Sequence, residues 1–311
     1  MPLQASDRVP PRRGAPSTVP GSLVRKSVPS EILITGWSRL SGTTHRLSAT
    51  WPQDHPFYIP RADRSVYSTQ LFTETVRQAL SLLTNTAHGI PLTYRLGWEY
   101  SATTVNPSAL HVDADPEVRL TVDLTVPDLR PTRRTVKLAA RIRATRGGDP
   151  LGAAHIRYSA HAPALYDRLR GRYADAKACT AAALPPSAPI PSALAGRSRA
   201  HDVVLSHTSE PHVWRLRVDP SHAQLFDHPH DHVPGLLMLE AAHQAAQCMA
   251  GPDPVTPTTT RAQFDRYVEL DAPCLVQATP LVWPYPDVGH TSLIGTQRGR
   301  TVFTTELVTR R

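Results

Sequence analysis

At 311 residues, with 40% apolar and 19% charged side chains, the chain can bury two cores of ordinary size, and no run approaches the roughly 20 apolar residues of a membrane helix. Its formal charge of +8 is spread along the sequence without a helix-turn-helix, zinc-finger or RNP pattern, so an acidic protein or a phosphorylated substrate is a better partner than nucleic acid. Cys179, Cys248 and Cys274 form no Cys-x-x-Cys pair, and no apolar stretch follows the N-terminal arginines to make a secretory leader; a disulfide frame and structural zinc are not expected, and a reducing cytoplasm is.

Residues 1–29, interrupted by Pro10, Pro11, Pro16, Pro20 and Pro29, read as an unfolded N-terminal segment, and 181–200, rich in Pro, Ala and Ser, as a linker between folded regions at 30–180 and 201–311. In the first region, β-patterned runs at 31–35 and 43–51 precede a helix expected over 69–86, where Leu71, Phe72, Val76, Ala79, Leu82 and Leu83 recur at helical spacing. Further runs follow at 93–105, 117–126, 133–145 and 151–161. Across the second of these, Arg119, Thr121, Asp123 and Thr125 alternate with Val118, Leu120, Val122 and Leu124, a period of two that leaves one sheet face wet. The stretch 164–179 has helical character and only a packing or spacer reading.

The second region repeats the order, with runs at 202–206 and 212–218, a helix over 233–249, and runs at 259–270, 275–283, 291–297 and 301–308. A single long helix among antiparallel strands buries its whole circumference only when the sheet curls around it. The expected class is therefore α+β, a tandem double hot-dog with each long helix wrapped by a curved antiparallel sheet; a flat α+β sandwich is the alternative.

A short constellation recurs as well. Asp54-His55-Pro56 precedes Glu74-Thr75-Val76-Arg77-Gln78 in the first half, and Asp227-His228-Pro229 precedes Glu240-Ala241-Ala242-His243-Gln244 in the second, which points to an internal duplication with a loop of changed length. Positions i, i+3 and i+4 share one helix face, so Glu74, Arg77 and Gln78 line one stripe and Glu240, His243 and Gln244 another. A carboxylate among Leu236, Leu237, Met238, Leu239 and alanines is costly to bury without partners, which makes Glu74 and Glu240 candidates for function. For Gln78 and Gln244 an intrahelical contact is the plainer reading beside substrate binding.

The run His228-Pro229-His230-Asp231-His232 lies on a loop without the i, i+4 spacing of a zinc helix, and Glu240-x-x-His243 has no second copy because the first helix carries Arg77; no metal or cofactor is expected. Pro234-Gly235 instead reads as a tight turn into the helix, offering free N–H groups to a substrate carbonyl, with His228 and His232 beside that pocket. There is no G-x-S-x-G, G-x-G-x-x-G, P-loop or H-E-x-x-H pattern.

Through Trp51-Pro52-x-x-His55-Pro56-Phe57-Tyr58, Glu74-Thr75-x-Arg77-Gln78 and the string from Asp227-His228-Pro229 to Glu240-Ala241-Ala242-x-Gln244-Ala245, the chain resembles the A-factor (γ-butyrolactone) biosynthesis hot-dog family of actinobacteria. The resemblance implies transfer of a β-ketoacyl group from acyl carrier protein to dihydroxyacetone phosphate, an early step toward a γ-butyrolactone signal. In that setting Glu240 or Glu74 would be the base on the acceptor hydroxyl. Gly235 would hold the thioester oxygen, Arg77 with His243 would attract the phosphate, and Gln78, Gln244, His55, His228 and His232 would contact substrate. The family commonly has Glu-x-x-Arg-Gln in both repeats, and His243 departs from it; an imidazole cannot grip phosphate as a guanidinium does. An acyl-binding or regulatory homologue and a thioesterase are the alternatives, and a homodimer is left open.

Overall fold

A computed structural model of the chain describes residues 19–61, 63–125, 135–282, 285 and 287–311. The strands among them are β1 (Ile34–Arg39), β2 (Thr44–Thr50), β3 (Arg95–Val105), β4 (Glu117–Thr125), β5 (Thr135–Arg146), β6 (Asp149–His161), β7 (Leu205–His207), β8 (Val213–Leu216), β9 (Thr256–Phe264), β10 (Cys274–Pro280), β11 (Val288–Gln297) and β12 (Arg300–Arg310). They form one antiparallel sheet in the order β1-β2-β4-β5-β6-β3-β9-β12-β11-β10-β8-β7. Read inward from each edge, the two halves are the same permutation. They meet where β3 pairs with β9, from Tyr100 opposite Gln263 to Thr104 opposite Thr259.

The helices are α1 (Gly21–Val24), α2 (Gln70–Thr86), α3 (Pro163–Arg170), α4 (Ala176–Ala181) and α5 (Gly235–Ala250). Helix α2 is buried nearly all round: Leu71, Phe72, Val76 and Ala79 have no exposed surface, and Thr75 and Thr84 return their hydroxyls to the carbonyls of Leu71 and Leu80. Both long helices stop at glycines with positive φ, Gly89 shortly after α2 and Gly251 directly after α5, where other side chains would be strained. The alternation expected in β4 is present, with Val118, Leu120, Val122 and Leu124 fully buried.

Three expectations change. Strand β9 ends at Phe264, because the N–H groups of Asp265 and Arg266 both turn to the carbonyl of Val302 and send the chain out of the sheet. The N-terminal segment expected to be unfolded is packed from residue 19: Val24 is fully buried, and Lys26 N–H closes the single turn of α1 on Gly21 O at 2.9 Å. Residues 1–18 lie outside the described residues, as do 126, 133–134 and 283 at the ends of expected strands. The stretch 181–200 is also laid into the fold, with Ile190, Ala195 and Arg197 buried and Ile190 N–H bonded to Leu205 O. Its prolines set an extended path, and the residues between them still find a core.

Candidate functional site

A matched brace ties each half together. In the first, His55 Nδ1 accepts from the N–H groups of Phe57 and Tyr58, so Nε2 donates to Glu31, at 3.1 Å; Gln78 spans from Glu31 O to Leu33 N–H. In the second, His222 faces Asp202 at 3.2 Å, and Gln244 spans from Asp202 O to Val204 N–H. The counterpart of His55 is therefore His222 and not His228. This corrects the equation of Asp54-His55-Pro56 with Asp227-His228-Pro229, and His222 stands nearly as far before Glu240 as His55 does before Glu74. His55 lines neither cavity described below; Gln78 and Gln244 also hold their helix glutamates, at 2.8 and 2.6 Å.

The two glutamates open onto different cavities. Glu74 and Arg77 line a cavity of about 910 Å³ with the loop from Leu225 to Gly235, whereas Glu240, His243 and Gln244 line one of about 420 Å³ with the loop from Pro60 to Thr69. Each helix shows its glutamate to the loop that precedes the other helix. The acidic stripes do not share a cleft, and Arg77 and His243 do not face one phosphate together.

In the larger cavity the Glu74 carboxylate takes two hydrogen bonds of 2.7 Å from Arg77 and stands 3.4 Å from Lys26 Nζ. Burial alone would raise its pKa, but Arg77, Lys26 and the bond from Gln78 hold it down at about 2, which makes it a weak base. The same cavity is lined by His232, whose Nδ1 is 2.7 Å from Asp231 Oδ1 and whose ring meets that of Tyr267 edge-on at 4.7 Å. The imidazole thus donates from Nδ1, and in its neutral form Nε2 is the acceptor. Tyr166 Oη at 2.5 Å and Arg170 Nε at 2.9 Å donate to the other oxygen of Asp231, and Arg170 also clamps both oxygens of Glu269. Burial pushes the Asp231 carboxyl up, and its bonds from His232 and Tyr166 and the charge of Arg170 outweigh that and hold it well below the carboxylate range.

Tyr166 and Arg170 come from α3, in the stretch read only as packing or spacer; a Tyr and an Arg one helical turn apart were the available signal. The chain bends at Asp231 and His232 and enters α5 through Pro234 in extended conformation, so the expected tight turn at Pro234-Gly235 is an extended entry. The first helical bonds run from Leu237 and Met238 N–H to Pro234 O, which leaves the N–H groups of Gly235 and Leu236 ahead of the helix ladder. A Cβ on Gly235 would meet only Phe264, at 3.7 Å, so packing does not demand glycine there. His228, half exposed, stacks on His230, and Leu80, Leu96, Trp98, Leu236, Met238 and Phe264 make the apolar wall.

In the smaller cavity Arg197, from the supposed linker, meets Glu240 at 2.9 Å through Nε and 2.5 Å through Nη2, and bonds Phe57 O at 2.6 Å. It takes the place beside Glu240 that Arg77 holds beside Glu74. His243 is partly buried at the cavity wall with Nε2 3.3 Å from Thr260 Oγ1, and desolvation, then Arg197, depress its pKa to about 3. It is neutral at neutral pH and offers no charge to a phosphate. Burial and the neighbouring histidines bring His230 to about 3 as well. Both imidazoles charge more readily in the unfolded chain, so their contribution is complete above the unfolded value of about 6.5 and is lost as pH falls toward 3, by about 1.4 kcal/mol per pH unit for each. His243→Gln is expected to remove about one proton's worth of that slope between about pH 6 and 4. Denaturant unfolding at stepped pH measures it, and an unaltered slope would contradict a neutral imidazole held by the fold.

A model of the A-factor biosynthesis hotdog domain matches residues 9–162 and 179–280, one stretch in each half. The chain belongs to the A-factor biosynthesis hotdog family. A 2-oxo-3-(phosphooxy)propyl 3-oxoalkanoate synthase of Streptomyces virginiae is 37% identical over 298 residues, 94% of this chain and 98% of the relative. Proteins of the same name from Streptomyces coelicolor and Streptomyces griseus are 37% and 36% identical, covering 93% and 92% of this chain and 90% and 93% of their own. Among solved structures, a chain described as an oleoyl thioesterase of Lactobacillus plantarum superposes with a TM-score of 0.52 at 12% identity, over 87% of this chain and 97% of its own. A 12:0-ACP thioesterase of Umbellularia californica does so at 0.50 and 11%, over 88% and 99%. At that identity the likeness is one of fold, and the fold is of the hot-dog type.

Proposed function

We propose that this family member is an acyltransferase, built as a tandem double hot-dog, that moves a β-ketoacyl group from acyl carrier protein onto a hydroxyl of dihydroxyacetone phosphate. The product named for the relatives, a 2-oxo-3-(phosphooxy)propyl 3-oxoalkanoate, is the ester of those two parts. The mirrored strand order supports the doubled architecture. The observation that carries the reading is the Asp231–His232 pair beside the open N-terminus of α5, in a cavity with an apolar wall and cationic side chains.

In this mechanism His232 Nε2 takes the proton of the acceptor hydroxyl as its oxygen attacks the thioester carbonyl carbon. Charge on the carbonyl oxygen is met by the N–H groups of Gly235 and Leu236. Collapse breaks the carbon–sulfur bond, and the departing thiolate recovers the proton from His232. Glu74, first expected as the base, serves as the anchor of Arg77 and Lys26. Glu240, Gln78, Gln244, His55 and His243 serve as structural partners, and the basic surface suits an acidic carrier protein.

Purified protein offered a β-ketoacyl thioester is expected to yield phosphorylated ester when dihydroxyacetone phosphate is present, read by mass spectrometry. Free acid alone would make it a thioesterase, and unchanged thioester with measurable binding would make it an acyl-binding protein; either outcome removes the transfer reading.

A further inference from the structure

The larger cavity carries more positive charge than its mechanism uses. Arg25, at the end of α1, donates from Nη2 to Tyr94 O at 2.6 Å and Leu92 O at 3.3 Å, while Arg77 Nη2 donates to Val24 O at 3.1 Å. Arg25 is thus tied to the backbone beside Arg95, and Arg77 to the backbone beside Arg25, so the three guanidiniums are held as neighbours by the chain itself. All three line the cavity.

Arg77 is paired with Glu74, and the charge that has no carboxylate in contact among the described residues is that of Arg25 and Arg95. Glu74 is occupied by Arg77 and Lys26, and Asp227 accepts from Ser27 N–H at 2.8 Å. Glu99, also on the cavity, accepts from Ser159 Oγ. Neither Arg25 nor Arg95 has an ion pair among the described residues, and Arg25 Nε has no hydrogen-bond partner there. Burial, then repulsion from Arg77 and Arg95, lowers the pKa of Arg25 to about 10. Arg25 also holds a left-handed backbone, φ 55°, that a non-glycine residue adopts at a cost. Two guanidiniums without an ion pair, Arg25 held at that cost and the exposed Arg95, stand in one cavity with Arg77 and together form a receptor for an anion with several oxygens.

We infer that Arg25, Arg77 and Arg95 form a phosphate subsite, with the segment around α1 supplying the arginine that completes it. The subsite rests on the acyl-transfer reading for the identity of its ligand: the phosphate monoester of the acceptor, with the phosphodiester of the carrier's pantetheine arm as the other source of the same chemistry. Residues 19–29, expected to lie outside the fold, then belong to the site.

Calorimetric titration of the full chain with inorganic phosphate tests the subsite without reference to activity. Arg25→Gln and Arg95→Gln are each expected to weaken binding about tenfold or more, since each removes a charge-assisted contact. Arg95 is exposed, so its variant keeps the fold should Arg25→Gln fail to. Unchanged phosphate affinity in Arg95→Gln and a folded Arg25→Gln overturns the subsite even if wild-type protein transfers acyl groups. Lost affinity in a protein that makes no ester leaves the subsite standing and removes the transfer reading. For the source, a β-ketoacyl N-acetylcysteamine thioester, which lacks phosphate, serves as donor. A KM raised for dihydroxyacetone phosphate and unchanged for dihydroxyacetone in Arg25→Gln supports the acceptor monoester. A KM raised only for the carrier-protein donor overturns that assignment and points to the pantetheine arm.

Discussion

His232→Ala is expected to lower formation of the phosphorylated ester by about 10²–10⁴-fold, the usual contribution of a positioned general base. The imidazole is a quarter exposed to the cavity and bonded to Asp231, so its removal should also lower the thermal midpoint, and the rate is read per folded molecule. Asp231→Asn should lower the rate by a similar factor for another reason: the amide no longer fixes the tautomer that presents Nε2 as acceptor. It should also destabilise the protein, because Asp231 neutralises a buried Arg170 at 2.9 Å. Glu240→Gln supplies the contrast. It faces the other cavity, so turnover per folded molecule should persist even though Arg197 loses its partner. Steady-state rates normalised to folded protein measure all three. A fully active His232→Ala, or a Glu240→Gln with no turnover, would move the base out of the larger cavity.

Much of this architecture is written in local sequence, because period-two runs and two long apolar helices depend on nearest neighbours. Glu74 and Glu240 stood out for the same reason, each a carboxylate on an otherwise greasy helix. What the sequence concealed are side chains that arrive from afar. Arg197, Arg25 and the Tyr166–Arg170 pair sit in stretches whose prolines, alanines and charges read as loose chain or spacer, and each acquires meaning only through a partner dozens of residues away. The repeat was hidden differently. Two literal Asp-His-Pro strings drew His55 and His228 together, whereas the true counterparts, His55 with Glu31 and His222 with Asp202, share hydrogen bonds and hardly a flanking residue. A duplicated brace survives in contacts after its letters have changed.

The exchange of Arg197 for His243 gives the second large effect. Glu240 is buried, and Arg197 is the cation at its carboxylate, so Arg197→Ala should cost about 3–5 kcal/mol by stranding a charge in the interior. His243→Arg by itself should also destabilise, because it places a second cation beside Arg197 with the carboxylate already engaged. It should leave the affinity for phosphorylated acceptor unaltered, contrary to what the family pattern alone suggested. In the Arg197→Ala background the sign should reverse. An arginine at 243 stands three residues after Glu240, as Arg77 stands after Glu74 with its two 2.7 Å bonds, and should recover much of the loss. Urea unfolding of the four proteins closes the cycle, and a coupling of about 2 kcal/mol or more is the expected result. Additive losses, with the double variant less stable than either single one, would mean that Arg197 does not replace the guanidinium missing from α5.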